Sequence, residues 1–340
     1  MGGLLRGGRR IHAPASLREV LSSTGLVDHH AHGILREPPR TLDEFRGLFS
    51  ESEDPRQWPH VATAVTYRRA IGVLAAHFGV ERDERAVFEY RLSVDPLEYA
   101  ASLLQATGTE ALLIDDGFPP PEEAVNWKEL GELAGCASFP VLRIETSAAD
   151  AVATARAEGF VALKTIAAYR GGLAELAPEV VRALEDNAAT GDPLPVQVHT
   201  GFGDADLSLP LSRPGLLKPL IERFDTTPFV LLHCYPFVRE AGWLAHVYPN
   251  VWFDLSLTIP HVARPVTALL EALELAPFSK LLYASDAART PELFFLGATW
   301  WREALAEALE TLGEGEEAAR AILRENALRL YPVTNGMRKG

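Results

Sequence analysis

Residues 25–32 read Gly-Leu-Val-Asp-His-His-Ala-His. A short apolar, β-rich run enters this stretch and imidazoles close it, and runs of the same kind return seven more times along the chain. The eight are GLVDHH (Gly25 to His30), EALLIDD (Glu110 to Asp116), PVLRIET (Pro140 to Thr146), FVALKTI (Phe160 to Ile166), PVQVHT (Pro195 to Thr200), FVLLHC (Phe229 to Cys234), VWFDLS (Val251 to Ser256) and LLYASD (Leu281 to Asp286). Nearly continuous hydrophobicity marks strands buried on both faces, as parallel strands are. Each run gives way to polar residues or Gly before a longer amphipathic stretch, the pattern of βα units. The expected helices are Pro121 to Ala134, Ala148 to Glu158, Ala177 to Ala189, Pro214 to Arg223, Arg239 to Val247, Val262 to Leu275 and Glu292 to Leu312. Eight such strands joined by helices predict an α/β fold, a (β/α)8 TIM barrel.

Most connections have room for one crossover helix and its loops. The first, between His30 and Asp116, holds far more chain than that. It contains a turn-like ESEDP at Glu51 to Pro55 and a helical pattern from Trp58 to Phe78. The expectation is a helical insertion after strand 1, residues 36–108, capping one end of a single barrel domain that spans 1–340. The amphipathic segment Glu316 to Leu330 is expected to pack back on the barrel.

The 340 residues, 47% of them hydrophobic, suit one barrel with an insertion. Acidic residues outnumber basic ones 46 to 32, for a formal charge of -14, which argues against nucleic acid or an anionic membrane as the main partner. Two cysteines, Cys136 and Cys234, give neither a disulfide framework nor a thiolate zinc site, and a reducing cytoplasm is the simplest home. The opening MGGLLRGGRR is followed by no apolar segment long enough for a signal or a membrane span and reads as a frayed leader.

On an extended backbone, side chains at i and i+2 share a face, so His30 and His32 can address one ion together. A His-x-His pair alone is commonly incidental. Its weight changes because His199 closes VQVHT, His233 closes LLHC and Asp286 closes YASD. Barrel active sites form from several strands at their carboxyl ends, so four histidines and an acid there point to a divalent metal. A strand-end histidine that only bonds a neighbouring carbonyl is the plain alternative, weightiest for His233. By parity His29 faces away from His30 and is expected to pack or hydrogen-bond. Asp28 shares the face of His30 and is expected to steady a ligand histidine.

This arrangement resembles the amidohydrolase superfamily, whose pattern is His-x-His after strand one, Lys or Glu on strand four, His on strands five and six, and Asp on strand eight. Here those positions are His30 and His32, Lys164, His199, His233 and Asp286. More narrowly, KTIAAYRGG, HTGFGDADL, LLHCYPFVREAGWLAHVYPNVWFDLS and YASDAARTPELFFLGATWWREA are similar to the amidohydrolase-related branch that includes the N-terminal barrels of FluG and nodulin-like glutamine-synthetase fusions. The resemblance implies a divalent metal, zinc first with manganese or iron as alternatives, as one or two ions held by His30, His32, Lys164, His199, His233 and Asp286. It implies catalytic roles for Asp286 as proton carrier, Lys164 and His233. Lys164 can bind a substrate carboxylate, pair with Asp286, or be carboxylated to bridge two ions, and the sequence leaves these open.

Arg170 and Arg239 are candidates for gripping a substrate carboxylate, with Arg143 behind them, because a guanidinium takes a carboxylate through two hydrogen bonds. Tyr67, Arg68 and Arg69 in the insertion read either way. GFGDADL, Gly201 to Leu207, lacks the glycine spacing of a nucleotide fingerprint and reads as an active-site loop. Trp300 and Trp301 read as core or subunit packing. The function implied is hydrolysis of an amide or related C–N bond in a small, carboxylate-bearing substrate, with self-association into a homodimer left open. The alternatives are metal-dependent non-oxidative decarboxylation and, third, a non-catalytic interaction barrel.

Overall fold

The computed structural model describes residues 16–115, 117–148 and 150–333, so the leader and Asp116 lie outside the described residues. Eight strands run β1 Leu26–Ala31, β2 Thr109–Ile114, β3 Ala137–Arg143, β4 Ala162–Thr165, β5 Val196–Thr200, β6 Phe229–His233, β7 Val251–Asp254 and β8 Leu281–Leu282. They pair in chain order, every pair parallel. Helices lie between them, and the sheet curls into a nearly closed barrel.

The eighth run is strand only at Leu281–Leu282, much shorter than its hydrophobicity predicts. Beyond it the chain still follows β1: His29 N donates to Tyr283 O (3.5 Å), Asp286 N to His30 O (3.0 Å) and His32 N to Ala287 O (2.8 Å). These bonds stitch the seam of the barrel and hold Asp286 against the His30–His32 segment.

β1 carries a second irregularity. Asp28 pairs with Leu112 and Ala31 with Ile114, so three steps on one strand match two on the other, the signature of a bulge. Parity therefore fails across it. His29 and His30 both reach residues of the far strands, His29 lying 2.9 Å from Asp254 and His30 2.8 Å from Gln197. Asp28 turns to the seam instead, accepting from Ser285 N (3.0 Å) and Ser285 Oγ (2.6 Å). Burial, only partly offset by these bonds, pushes its carboxyl up to about 6.

One apolar cluster fills the barrel floor, with Val27, Ala111, Val141, Val230 and Leu282 meeting Tyr331 and Val333 from the end of the chain. A larger one packs the helices onto the outside of the sheet and includes Trp300 and Trp301, both buried. Several expected helices are shorter than the pattern predicts, Ala148 to Glu158 being α-helical only at Ala151–Thr154 and Val262 to Leu275 at Pro265–Leu273, and local chemistry accounts for two others. The stretch from Pro121 becomes helical only at Trp127, because Asn126 caps there by accepting from Lys128 N and Glu129 N. The pattern from Trp58 to Phe78 splits into Trp58–Val61 and Val65–Phe78, where Thr63 Oγ1 donates to His60 O in competition with the helix. The segment from Glu316 to Leu330 is helical throughout, with a π stretch at Ala321–Glu325.

Between β1 and β2 lie helices Leu42–Gly47, Trp58–Val61, Val65–Phe78, Glu84–Ser93 and Pro96–Ala106. They are tied to the long helix Pro291–Leu312 by a buried ion pair between Arg91 and Glu292, joined by Tyr99 Oη donating to Glu292 (3.0 Å). Arg91→Ala leaves the Glu292 carboxylate buried without its cation, and a loss of about 3–5 kcal/mol is expected in urea-denaturation stability. Among the described residues no helix is long and apolar enough to cross a membrane, and both cysteines are free.

Candidate metal centre

The carboxyl ends of the strands bring most of the predicted residues to one place. His30, His233 and Asp286 offer donor atoms that all lie within 4.8 Å of one another. His30 Nε2 is 3.1 Å from Asp286 Oδ1, and His32 Nε2 is 3.4 Å from the same oxygen. His199 flanks the group, its ring centroid 4.5 Å from that of His233. Lys164 Nζ, fully enclosed, lies 3.0 Å from His30 Nε2.

Three of these rings are oriented by what holds Nδ1. His30 Nδ1 is 2.8 Å from Gln197 Oε1, His32 Nδ1 2.9 Å from the Asp115 carbonyl, and His233 Nδ1 2.7 Å from Ser256 Oγ. The first two partners are acceptors, so the proton of a neutral ring sits on Nδ1 and the Nε2 lone pair is left to face Asp286. Burial first, then the Lys164 charge, lowers His30 to about 4. Burial also holds His199 and His233 well below the usual imidazole range. For Asp286 burial acts to raise the carboxyl, and the surrounding imidazoles, His233 foremost, outweigh it and keep it ionised.

A lone pair of His30 and an oxygen of Asp286 at 3.1 Å repel unless a cation lies between them. Asp286 Oδ1 and His199 Nε2 are buried with no hydrogen-bond partner among the described residues. A neutral-imidazole and carboxylate donor set with orphaned inward atoms fits a divalent ion. The Nε2 lone pair of His30 that would hold the ion now faces Lys164 Nζ at 3.0 Å, so Lys164 would have to give it up. Burial lowers the Lys164 pKa, against the pull of Asp115 and Asp286, which eases its loss of a proton.

The backbone is bent to make the site. The non-glycine residues with positive φ among those described are His233 (67°), Cys234 (65°), Asp286 (50°) and Arg289 (66°), all where β6 and β8 open into loops. Such strain persists only where surrounding structure enforces it, and it clusters at functional sites. Gly203 shows a related constraint: a Cβ there would lie 1.8 Å from Tyr169 Oη and 3.2 Å from His199 Nε2, closing the space beside that ring.

Above the histidines opens a cavity of about 240 Å³ lined by His32, Lys164, His199, His233 and Asp286, and by Tyr169, Arg143, Arg170, Arg289, Glu51, Glu53, Asp204 and Asp206. Arg170 is thus on the wall, exposed. Arg239 is not among the lining residues; it lies on the helix Val238–Val247, 69% exposed, facing Glu271 and Glu274 (3.5 and 3.4 Å). Arg143 gives two nitrogens to buried Asp115 (2.7 Å at the closest). Arg289 was not singled out from the sequence. Its Nη2 donates to Ser50 O (2.7 Å), and its Nε is buried without a partner among the described residues. No sequence signal marks it, because it sits in an irregular loop. Glu51 and Glu53 were hidden in a segment that reads as a turn. Gln197 had a usable signal, since it stands two residues before His199 on the same strand face.

An amidohydrolase family profile matches residues 27–333. The chain is 27% identical to the fluG protein of Emericella nidulans, over 94% of this chain and 47% of that one, so it spans about half the length of that relative. It is similar to a solved structure from Lactobacillus casei, a candidate metal-dependent hydrolase, with 28% identity, a TM-score of 0.82, and 93% and 97% of the two chains covered. Uronate isomerase from Thermotoga maritima shares the fold at 13% identity and a TM-score of 0.58, over 93% and 96% of the chains.

Proposed function

Because the chain belongs to the amidohydrolase family and is an enzyme of that type, we propose that it hydrolyses an amide or related C–N bond in a small, carboxylate-bearing molecule. The observation that carries this reading is the meeting of His30, His233 and Asp286 within 4.8 Å beneath a cavity whose wall bears Arg143, Arg170 and Arg289. His30, His32, His199, His233 and Asp286 would hold the ion, and their imidazole-rich set suits zinc. Bound there, a divalent ion supplies Lewis acidity and makes water acidic enough to attack near neutral pH.

The remaining work falls to the chain. Asp286, ionised and facing the cavity, takes a proton from the attacking water and returns it to the departing nitrogen. Lys164 lies under the same carboxylate and either orients the electrophile or joins the ligand set. Arg289 and Arg170 receive the substrate carboxylate. In the same reading residues 36–108 act as a cap that lends Glu51 and Glu53 to the cavity mouth.

Elemental analysis of the purified protein, followed by incubation of the ion-loaded protein with N-acyl amino acids and with unsaturated and aromatic acids, tests the proposal. Bound divalent ion with release of amine or ammonia is expected. Release of carbon dioxide instead would make the enzyme a lyase, and neither ion nor turnover would leave an interaction barrel. On a substrate so found, Arg289→Ala is expected to raise KM by about tenfold to a hundredfold with kcat changed less, the worth of a hydrogen bond to a charged group. An unchanged KM removes Arg289 from binding.

A further inference from the structure

We propose that Gln197 is a positioning residue of this centre, and that Tyr331, from the far end of the chain, holds it in place. Together they fix His30 in the tautomer that turns Nε2 toward Asp286. The proposal rests on the metal reading above only for what the tautomer is used for.

Gln197 is fully buried inside the barrel on β5. Its Nε2 donates to the His29 carbonyl (2.7 Å) and to Tyr331 Oη (3.2 Å), and its Oε1 faces His30 Nδ1 at 2.8 Å. The amide cannot be reversed, because that would set its oxygen against the His29 carbonyl oxygen. An amide oxygen only accepts, so His30 must carry its proton on Nδ1. Nothing else among the described residues bonds that nitrogen.

Tyr331 extends the logic across the barrel. Having accepted from Gln197, its hydroxyl has one proton to give, and His29 Nδ1 stands 3.1 Å away, with the two rings stacked at 5.7 Å. His29 then carries its own proton on Nε2, which lies 2.9 Å from Asp254 Oδ2 as an ion-pair contact, although neither atom makes a hydrogen bond among the described residues. Asp254 Oδ1 accepts from His233 N (2.6 Å) and from Ser256 Oγ (2.8 Å), and Ser256 Oγ, its proton so committed, accepts from His233 Nδ1 (2.7 Å). Gln197 thus sets the tautomer of His30, while the separate Asp254–Ser256 pair orders that of His233. Tyr331, which steadies Gln197, belongs to the apolar cluster that includes Val27, Ala111 and Val230 at the barrel floor.

Two readouts test this. The ring tautomers of His30 and His233 are read by long-range proton–nitrogen NMR on ion-free protein. Zinc affinity is read by competition with a chelator of known strength. In the unaltered protein His30 is expected as the Nδ1–H form. Gln197→Met, similar in size but without the amide oxygen, is expected to mix the His30 tautomers and weaken zinc about tenfold to a hundredfold, the usual cost of losing a partner behind a ligand. Tyr331→Phe is expected to act in the same direction by a smaller factor. A folded Gln197→Met protein that keeps the single tautomer and the original zinc affinity overturns the proposal. If that variant does not fold, Tyr331→Phe decides alone, and no change in either readout overturns it. Since the tautomers are read without ion, a protein that takes up no zinc sinks the metal reading and leaves this result standing.

Discussion

Replacing His30 and His32 together with Ala is expected to bring the ion-to-protein ratio close to zero. Both turn the Nε2 lone pair toward Asp286 Oδ1, at 3.1 and 3.4 Å, and no other imidazole of the group faces that oxygen as closely. The fold should survive. His30→Ala leaves Gln197 Oε1 without a donor, a cost of about 1–3 kcal/mol, against about 5–15 kcal/mol of stability in a typical domain. Elemental analysis of the double variant, with circular dichroism to show that it is folded, checks both parts. A folded double variant that retains the ion in the original proportion places the metal elsewhere.

Asp286→Asn should have the second large effect. Asn keeps the size of the side chain and removes both its charge and its ability to take a proton. The loss of general base catalysis is worth about 10²- to 10⁴-fold in kcat, with KM changed much less. Asp286 also sits in the donor group, so the rate must be measured at saturating ion. A slow enzyme that recovers its rate as ion is added was deprived of a ligand, whereas one that stays slow with the ion bound was deprived of its proton carrier. An unchanged kcat removes Asp286 from the proton transfer.

The runs of apolar residues announced the barrel, and the polar residue closing each run announced its working face. Hydrophobicity over a whole strand is redundant, so the eight runs survive small local irregularities. Parity is not redundant. One extra residue in β1 reverses it, which is why His29, placed outward by alternation, lies inside the barrel beside Asp254, and why Asp28 turns to Ser285. The short β8 has the same origin: LLYASD looks like a strand throughout, but after Leu282 its hydrogen bonds go to β1 through an irregular segment.

Residue types and their order along the chain therefore determined the (β/α)8 architecture and put His30, His32, Lys164, His199, His233 and Asp286 where strands end. Only the tertiary structure decided which of them meet, which nitrogen each ring presents, and that Arg289 rather than Arg239 reaches the cavity. Strand-forming preference is a property of a local segment and can be read there. A tautomer or a guanidinium direction is fixed by partners from distant segments, as Tyr331 fixes Gln197, and no stretch of sequence contains both members of such a pair.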